Sequence, residues 1–388
     1  MSIPTEFRII LKSFSLTGII FFDTKANGKR KKKACDKIKS MLKLFVEILF
    51  VVLTIIAIYL NTFNGFESKI TFKVTAITLD ALLLLLRISF LLNKTNIVRT
   101  LSKLYIFNNG EGNVKCFSLR KYAFLACGWC FLFPLTLGIF SISWALMNMN
   151  KYLLSLNFRD HSSSKLEIYY IAFITGNTIM YMNHFLIFPG LVMTLLSFMY
   201  LSFLNTFQRF LEEIRLRLLK NFSKKEVSRA LVVFAEAKNI HLDIENTMSF
   251  TSFLAYVLTF GKIMQVISSV VTNFMPNEEI MRFMHYYVIL GWTIIWFLVL
   301  TLCGTQAKKS ETFIKNMNQE VRTKNFVKEG EGQNCLMYGN LLSTCSDVEL
   351  RFTAWGMFEV DKKLFLTVTG VLVTYGVLFA TELSKIRN

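Results

Sequence analysis

At 388 residues, with 53% hydrophobic side chains, 38 Phe and only 18% charged residues, the chain is too apolar for a soluble protein of its size and is expected to cross a membrane several times. Its formal charge of +18 does not point to nucleic acid, because Lys and Arg fall between apolar spans instead of on one basic face.

The N-terminal segment 1–43 contains one apolar stretch, Ile9 to Phe22, interrupted by Lys12. It is too short to span a bilayer and is expected at the interface or packed in the cytosol, and without a small-residue cleavage site it does not read as a signal peptide. Seven mainly apolar runs follow, at 44–63, 71–92, 122–146, 168–204, 250–275, 283–304 and 363–383. The first six make up region 44–304, which includes a cytosolic helical extension, 205–248. Region 305–362 is expected to be a cytosolic anchor, and 363–388 the last span with a short tail.

Ile168 to Lys220 reads as one helix of about 80 Å at 1.5 Å per residue, far beyond the hydrocarbon thickness of about 30 Å, so its end projects into water. That end is amphipathic. Phe207, Phe210, Leu211, Ile214 and Leu218 share one face, with Arg209, Glu212, Glu213 and Arg217 around the other. Lys308 to Lys328 also reads as helix, before a Gly-rich linker, Glu329 to Asn334. These helices suit either an assembly role or a solvated surface.

Of the 44 Lys and Arg residues, 33 lie in the N-terminal segment and the second, fourth and sixth connections, against eight in the remaining connections, the tail and the leading edge of the second span (Lys73). That imbalance predicts an all-α membrane protein of seven transmembrane helices, N-terminus cytosolic and C-terminus extracellular. Cysteine placement agrees with this topology. Cys35, Cys116, Cys335 and Cys345 fall on the predicted cytosolic side, and Cys127, Cys130 and Cys303 lie within spans, Cys127 and Cys130 as packing residues. The sequons at Asn93 and Asn221 are on the predicted inside and are expected to be unmodified.

Intramembrane polar groups are functional candidates. Asp80 and Arg87, two turns apart on the second span, are expected to pair with each other or with Lys262. Pro134 and Pro189 are expected to kink their helices. On the last span Thr367, Val371, Thr374, Leu378 and Thr381 recur at steps of four and three, with Glu382 beside them, which makes one stripe on a helix. Two readings fit. The threonines bond back to their own carbonyls, or the stripe lines a pore gated by Val371 or Leu378 and edged by Glu382. The outer halves of the spans hold Trp144, Asn177, Tyr181, His184, Tyr287 and Trp292, an interfacial belt or part of a ligand pocket. Neither H-E-x-x-H, a phosphate loop nor G-x-S-x-G is present, so no catalysis, metal or cofactor is expected.

The run Phe352-Thr-Ala-Trp-Gly356-Met-Phe358-Glu-Val-Asp361, followed by Gly370 and Thr374-Tyr375, resembles the C-terminal signature of arthropod gustatory receptors and the related odorant receptors. Leu16-Thr17-Gly18 within the N-terminal run is a weaker match to the same family. The family pattern has Gln where this chain has Thr381. The resemblance implies a homotetramer, or a heteromer with related subunits, whose seventh helices surround one cation pore in the plasma membrane, opened by a small-molecule tastant or odorant. It places the gate on Leu378 and the polar filter on Thr381, with Thr374 also on the pore. It raises Trp144, Asn177, Tyr181, His184 and Tyr287 as ligand contacts. A G-protein-linked receptor and a solute transporter are the alternatives, weakened by the inverted topology and by the lack of an internal repeat.

Overall fold

The computed structural model describes residues 3–21, 41–58 (apart from 43 and 57), 70–109, 119–147, 164–272, 280–326, 339, 341, 343–344 and 350–387. These residues form helices and one short hairpin. Helix α1 (Thr5–Ser13) runs into a 3-10 turn (Phe14–Thr17) and is followed by α2 (Leu44–Ile56), α3 (Ile70–Leu92), α4 (Lys94–Asn109) and α5 (Arg120–Met147). Helix α6 (Ser164–Met182) passes through a π turn (Asn183–Ile187) into α7 (Phe188–Lys220), and α8 (Lys224–Thr272) and α9 (Ile280–Phe326) follow. The strands β1 (Thr353–Ala354) and β2 (Phe358–Glu359) then lead into α10 (Lys362–Arg387). Among the described residues five helices are long and apolar enough to cross a membrane, and α2 is a shorter apolar helix.

Helix α7 is the axle of the bundle. Its first half, FPGLVMTLLSFMYLSFL, is apolar all round, and almost every side chain from Phe188 to Leu204 is buried. It is packed by α1, α5, α8 and α9. The amphipathic end behaves differently from an assembly surface: Phe207, Phe210, Leu211, Ile214 and Leu218 are all buried within this one chain, Phe207 against Phe234 of α8. Its charged side reaches α9 instead, where Arg215 grips Glu320 through two hydrogen bonds of 2.6 and 3.0 Å. At the turn into α8 the Ser223 hydroxyl caps the helix, accepting from the Glu226 amide.

The N-terminal arm is packed inside the bundle. Phe7, Ile10, Leu11 and Phe14 are buried, and Phe14 stacks on Phe90 of α3 at 4.8 Å. Here the expected partner of Arg87 is corrected: its guanidinium donates to both carboxylate oxygens of Glu47, at 2.7 and 2.9 Å, and to the Thr17 carbonyl at 2.8 Å. It also lies 4.2 Å over the Phe50 ring and 5.0 Å over Phe188. Asp80 is two turns away along the helix, whereas Glu47 enters from α2, a contact that no spacing within one span reveals. Gly18 adopts φ 87° to turn the chain past this pair, and a Cβ there would lie 2.7 Å from Val46.

Arg87 is 2% exposed and Glu47 18%, so Arg87→Met would strand a largely buried carboxylate, at a cost of up to about 3 kcal/mol. The expected result is loss of the monodisperse peak in detergent size-exclusion, with most of it restored when Glu47→Leu is added.

Candidate functional site

Two features stand out, a joint that holds α10 on the bundle and a cleft between α7, α8 and α9. The joint is built by the C-terminal motif. Its hairpin pairs Thr353 with Glu359 and Ala354 with Phe358. Trp355 and Gly356 take φ of 54° and 67° at the centre of the turn closed by the Met357 amide and the Ala354 carbonyl. A positive φ at Trp is unfavourable, and its ring is held against Phe250 and Phe253 of α8. Phe358 packs on Tyr256 at 5.4 Å. The Glu245 carboxylate accepts hydrogen bonds from the Tyr200 hydroxyl, from the Thr353 hydroxyl at 2.5 Å and from the Thr353 amide, which ties α7, α8 and β1 together.

Asp361 caps α10. Its Oδ1 accepts from the amides of Lys363 and Leu364 at 2.9 and 3.1 Å, and its Oδ2 accepts from Lys308 of α9 at 3.0 Å. Burial works against the carboxylate, but the Leu364 amide, the Lys308 ammonium and the Lys363 amide outweigh it and hold its carboxyl below the usual range. Closest of all is Gly304 of α9. A Cβ built there would lie 1.5 Å from the Val360 carbonyl oxygen, a position only glycine leaves open.

Helix α10 has two unlike sides. Leu364, Phe365, Val368 and Leu372 pack against the core, and α10 touches α8 and α9. Thr367, Val371, Thr374, Leu378 and Thr381 are all exposed, Leu378 by 55%. The back-bonded reading of the stripe is what the chain shows: Thr367, Thr374 and Thr381 donate to the carbonyls of Lys363, Gly370 and Val377 while facing outward. Tyr375 is exposed as well, and the Glu382 side chain lies outside the described residues.

The cleft has about 330 Å³ of empty space, including its mouth, and is walled by Phe185, Pro189, Trp292 and Trp296 with Lys262 at its edge. Local sequence explains the polar contact at its rim. Pro189 has no N–H to offer the Phe185 carbonyl four residues back, and the Lys262 ammonium donates to that carbonyl at 3.3 Å. A π turn, Asn183–Ile187, lies just ahead of Pro189. Trp292 stacks on Phe133 at 4.9 Å and meets Trp296 edge to face at 5.5 Å. It also lies against Gly190, where a Cβ would sit 2.9 Å from the indole. Trp296 is 6% exposed and its Nε1 has no hydrogen-bond partner among the described residues.

No family model matches the chain, and no curated protein matches it. The fold is matched by solved structures of the insect olfactory receptor OR5 from Machilis hrabei. In complex with eugenol that receptor superposes with a TM-score of 0.62 at 13% identity, covering 97% of each chain. Its structure without that ligand named gives 0.62 at 12% identity over 96% of each. The chain has the insect olfactory-receptor fold. These neighbours are receptors, not enzymes, and among the described residues no group of His, Cys, Asp and Glu is placed to hold a metal ion.

Against this receptor fold, the sequence-derived ligand residues are scattered. His184 is fully buried and shares a 2.9 Å hydrogen bond with Thr54 through Nε2, its ring stacked on Phe50. Tyr181 stacks on Phe185 and so adjoins the cleft. Trp144 is half-buried, Asn177 and Tyr287 are exposed, and none of the three lines the cleft. Sequence reasoning missed Trp296 and Phe185 as cleft walls, although the intramembrane Lys262 and the helix-breaking Pro189 were visible signals. Cys130 is a packing residue beside Thr194, at 3.3 Å, while Cys35, Cys116, Cys335 and Cys345 lie outside the described residues.

Gly304→Ala is expected to displace the hairpin and abolish the folded, monodisperse protein. Gly128→Ala, where a Cβ meets nothing within 4 Å, is the control and should leave the size-exclusion profile unchanged. An undisturbed Gly304→Ala profile would contradict the joint described here.

Proposed function

We propose that this chain is a chemosensory receptor of the arthropod gustatory and odorant type, a ligand-gated non-selective cation channel in the plasma membrane. In this reading seven helices cross the bilayer with the N-terminus in the cytosol, and four copies, or copies of this and a related subunit, place α10 around one pore. The observation that carries it is the outward stripe of α10. The exposed surface of α10 also carries Leu366, Val373 and Val377, but within it Thr367, Thr374 and Thr381 line up as one polar stripe, which is favoured against protein or water over lipid. Back-bonded threonines still present oxygen acceptors, which suits a wetted path for cations.

Val371 and Leu378 are the apolar rings that close this path by dewetting, with Leu378 as the main gate. Thr374 and Thr381 supply neutral polar rings, and Glu382 a ring of carboxylates that favours cations. The motif residues Gly356, Phe358 and Asp361 set the angle at which α10 leaves the bundle. The fold match to a receptor solved with eugenol supports a small-molecule ligand bound among the helices, and Tyr181 and His184 stand beside the cleft through their contacts with Phe185.

Leu378→Ala is expected to raise the basal, ligand-independent current several-fold when the full chain is expressed in cells and recorded by patch clamp. Surface labelling confirms equal expression. An unchanged leak from a well-expressed variant would remove Leu378 as the gate, and absence of any current from wild type under a broad ligand panel would count against the channel.

A further inference from the structure

We infer that the cleft between α7, α8 and α9 is a binding site for a small, mostly apolar molecule carrying one acceptor oxygen, a carbonyl or a carboxylate, held by Lys262 and Trp296. This rests on the reading of the chain as a small-molecule receptor and adds the chemistry of what it takes.

The cleft brings two donor groups, those of Trp296 and Lys262, beside two threonine hydroxyls. Trp296 lines the cleft, and its buried Nε1 donates to nothing among the described residues. An indole N–H is a donor only, so an acceptor oxygen is what it lacks. Lys262 lines the same cleft; an ammonium carries three donors, and the Phe185 carbonyl takes one. Thr259 and Thr293 commit their own hydroxyl protons to the carbonyls of Ala255 and Ile289, at 2.7 Å each, so they add no competing donors. Around these groups the walls are aromatic and aliphatic.

Charge and polarity narrow the ligand further. Lys262 is the charged group of this otherwise aromatic and aliphatic lining, its ammonium donating to the Phe185 carbonyl. A cationic ligand would meet like charge there. A sugar would bury many hydroxyls against indole and phenyl rings with two donor groups and two threonine oxygens to satisfy them, leaving most of them unpaired. An acid, aldehyde or ester with a short hydrocarbon body meets both requirements. Gly190 lets the Trp292 ring come close to α7, since a Cβ there would sit 2.9 Å from the indole.

The test is calorimetric titration of the purified full-length protein in lipid nanodiscs, with empty nanodiscs subtracted, using hexanoate, hexanal, hexylamine and sucrose. Hexanoate and hexanal are expected to bind, hexylamine at least tenfold more weakly, and sucrose not at all. Lys262→Met should weaken hexanoate by about tenfold or more, Lys262→Arg should keep most of the affinity, and Trp296→Phe should cost several-fold for both acceptors. Hexylamine binding as well as hexanoate, an unaffected Lys262→Met protein, or no binding by hexanoate and hexanal would overturn the assignment. If Lys262→Met fails to give monodisperse protein, the comparison of amine with carboxylate on the wild type decides alone. Current recordings with the same compounds separate this site from the channel reading. Binding without current leaves the site standing and removes the channel, whereas currents evoked by sucrose without hexanoate binding do the reverse.

Discussion

The close approach of Gly304 to the Val360 carbonyl is the constraint on which the arrangement of the last helix depends. With a side chain at 304 the hairpin could not lie on α9, and the remaining contacts of the joint presuppose that it does. The Glu245 carboxylate reaches the Thr353 amide and hydroxyl, and Lys308 reaches Asp361, because the hairpin backbone is already held between α8 and α9. Asp361 then supplies acceptors for two amides that the first turn of α10 cannot satisfy itself. The signature run from Phe352 to Asp361 therefore has a mechanical meaning: a left-handed turn at Gly356, an aromatic peg at Phe358 and a helix cap at Asp361.

A second constraint acts at the opposite end of the sequence. Arg87 gathers three separate pieces of chain, α2 through Glu47, the N-terminal arm through the Thr17 carbonyl, and α7 through the face of Phe188. A guanidinium suits this because its planar fork serves two carboxylate oxygens while its face rests on aromatic rings. An ion pair with so little exposure costs desolvation, and the bonds to both oxygens and a carbonyl offset that cost. Its consequence is positional: the arm stays inside the bundle, and Phe14 completes a cluster with Phe21, Phe90 and Phe188.

What was legible in the sequence follows from what periodicity encodes. Long apolar runs gave the helices, and the all-apolar Phe188 to Leu204 marked the helix that ends up central. The stripe on α10 was visible because a single helix defines it, and so was the amphipathic face of residues 205–220. The use of that face was not legible, since sequence cannot tell a partner subunit from another helix of the same chain, and Phe234 of α8 proved to be the cover. The same limit explains Arg87, whose partner lies 40 residues away on another helix. Trp296 and Phe185 were hidden for a related reason. Aromatics are common on every span, and only the superposition of α7, α8 and α9 selects those that share a cavity. The π turn before Pro189 depends on backbone geometry that composition does not record, although a proline mid-span announces that some carbonyl will need another donor.

The cleft and the joint stand on the same two helices. Lys262 and Tyr256 are six residues apart on α8, a rise of about 9 Å, and Trp296 and Gly304 are eight apart on α9, a rise of about 12 Å. Between them Tyr256 packs on Phe297, and Phe297 in turn on Phe365 of α10. A molecule that changes the spacing of α8 and α9 at Lys262 and Trp296 thus acts two turns from the backbone contact that sets the direction of α10. Coupling over that distance requires no long pathway, because helices are stiff over two turns and the joint has no side chain at Gly304 to absorb a displacement. Under the proposed function, opening needs only that α10 tilt enough to draw the Leu378 rings apart. The site, the joint and the gate are then successive points along one mechanical connection, with the glycine contact as its fulcrum.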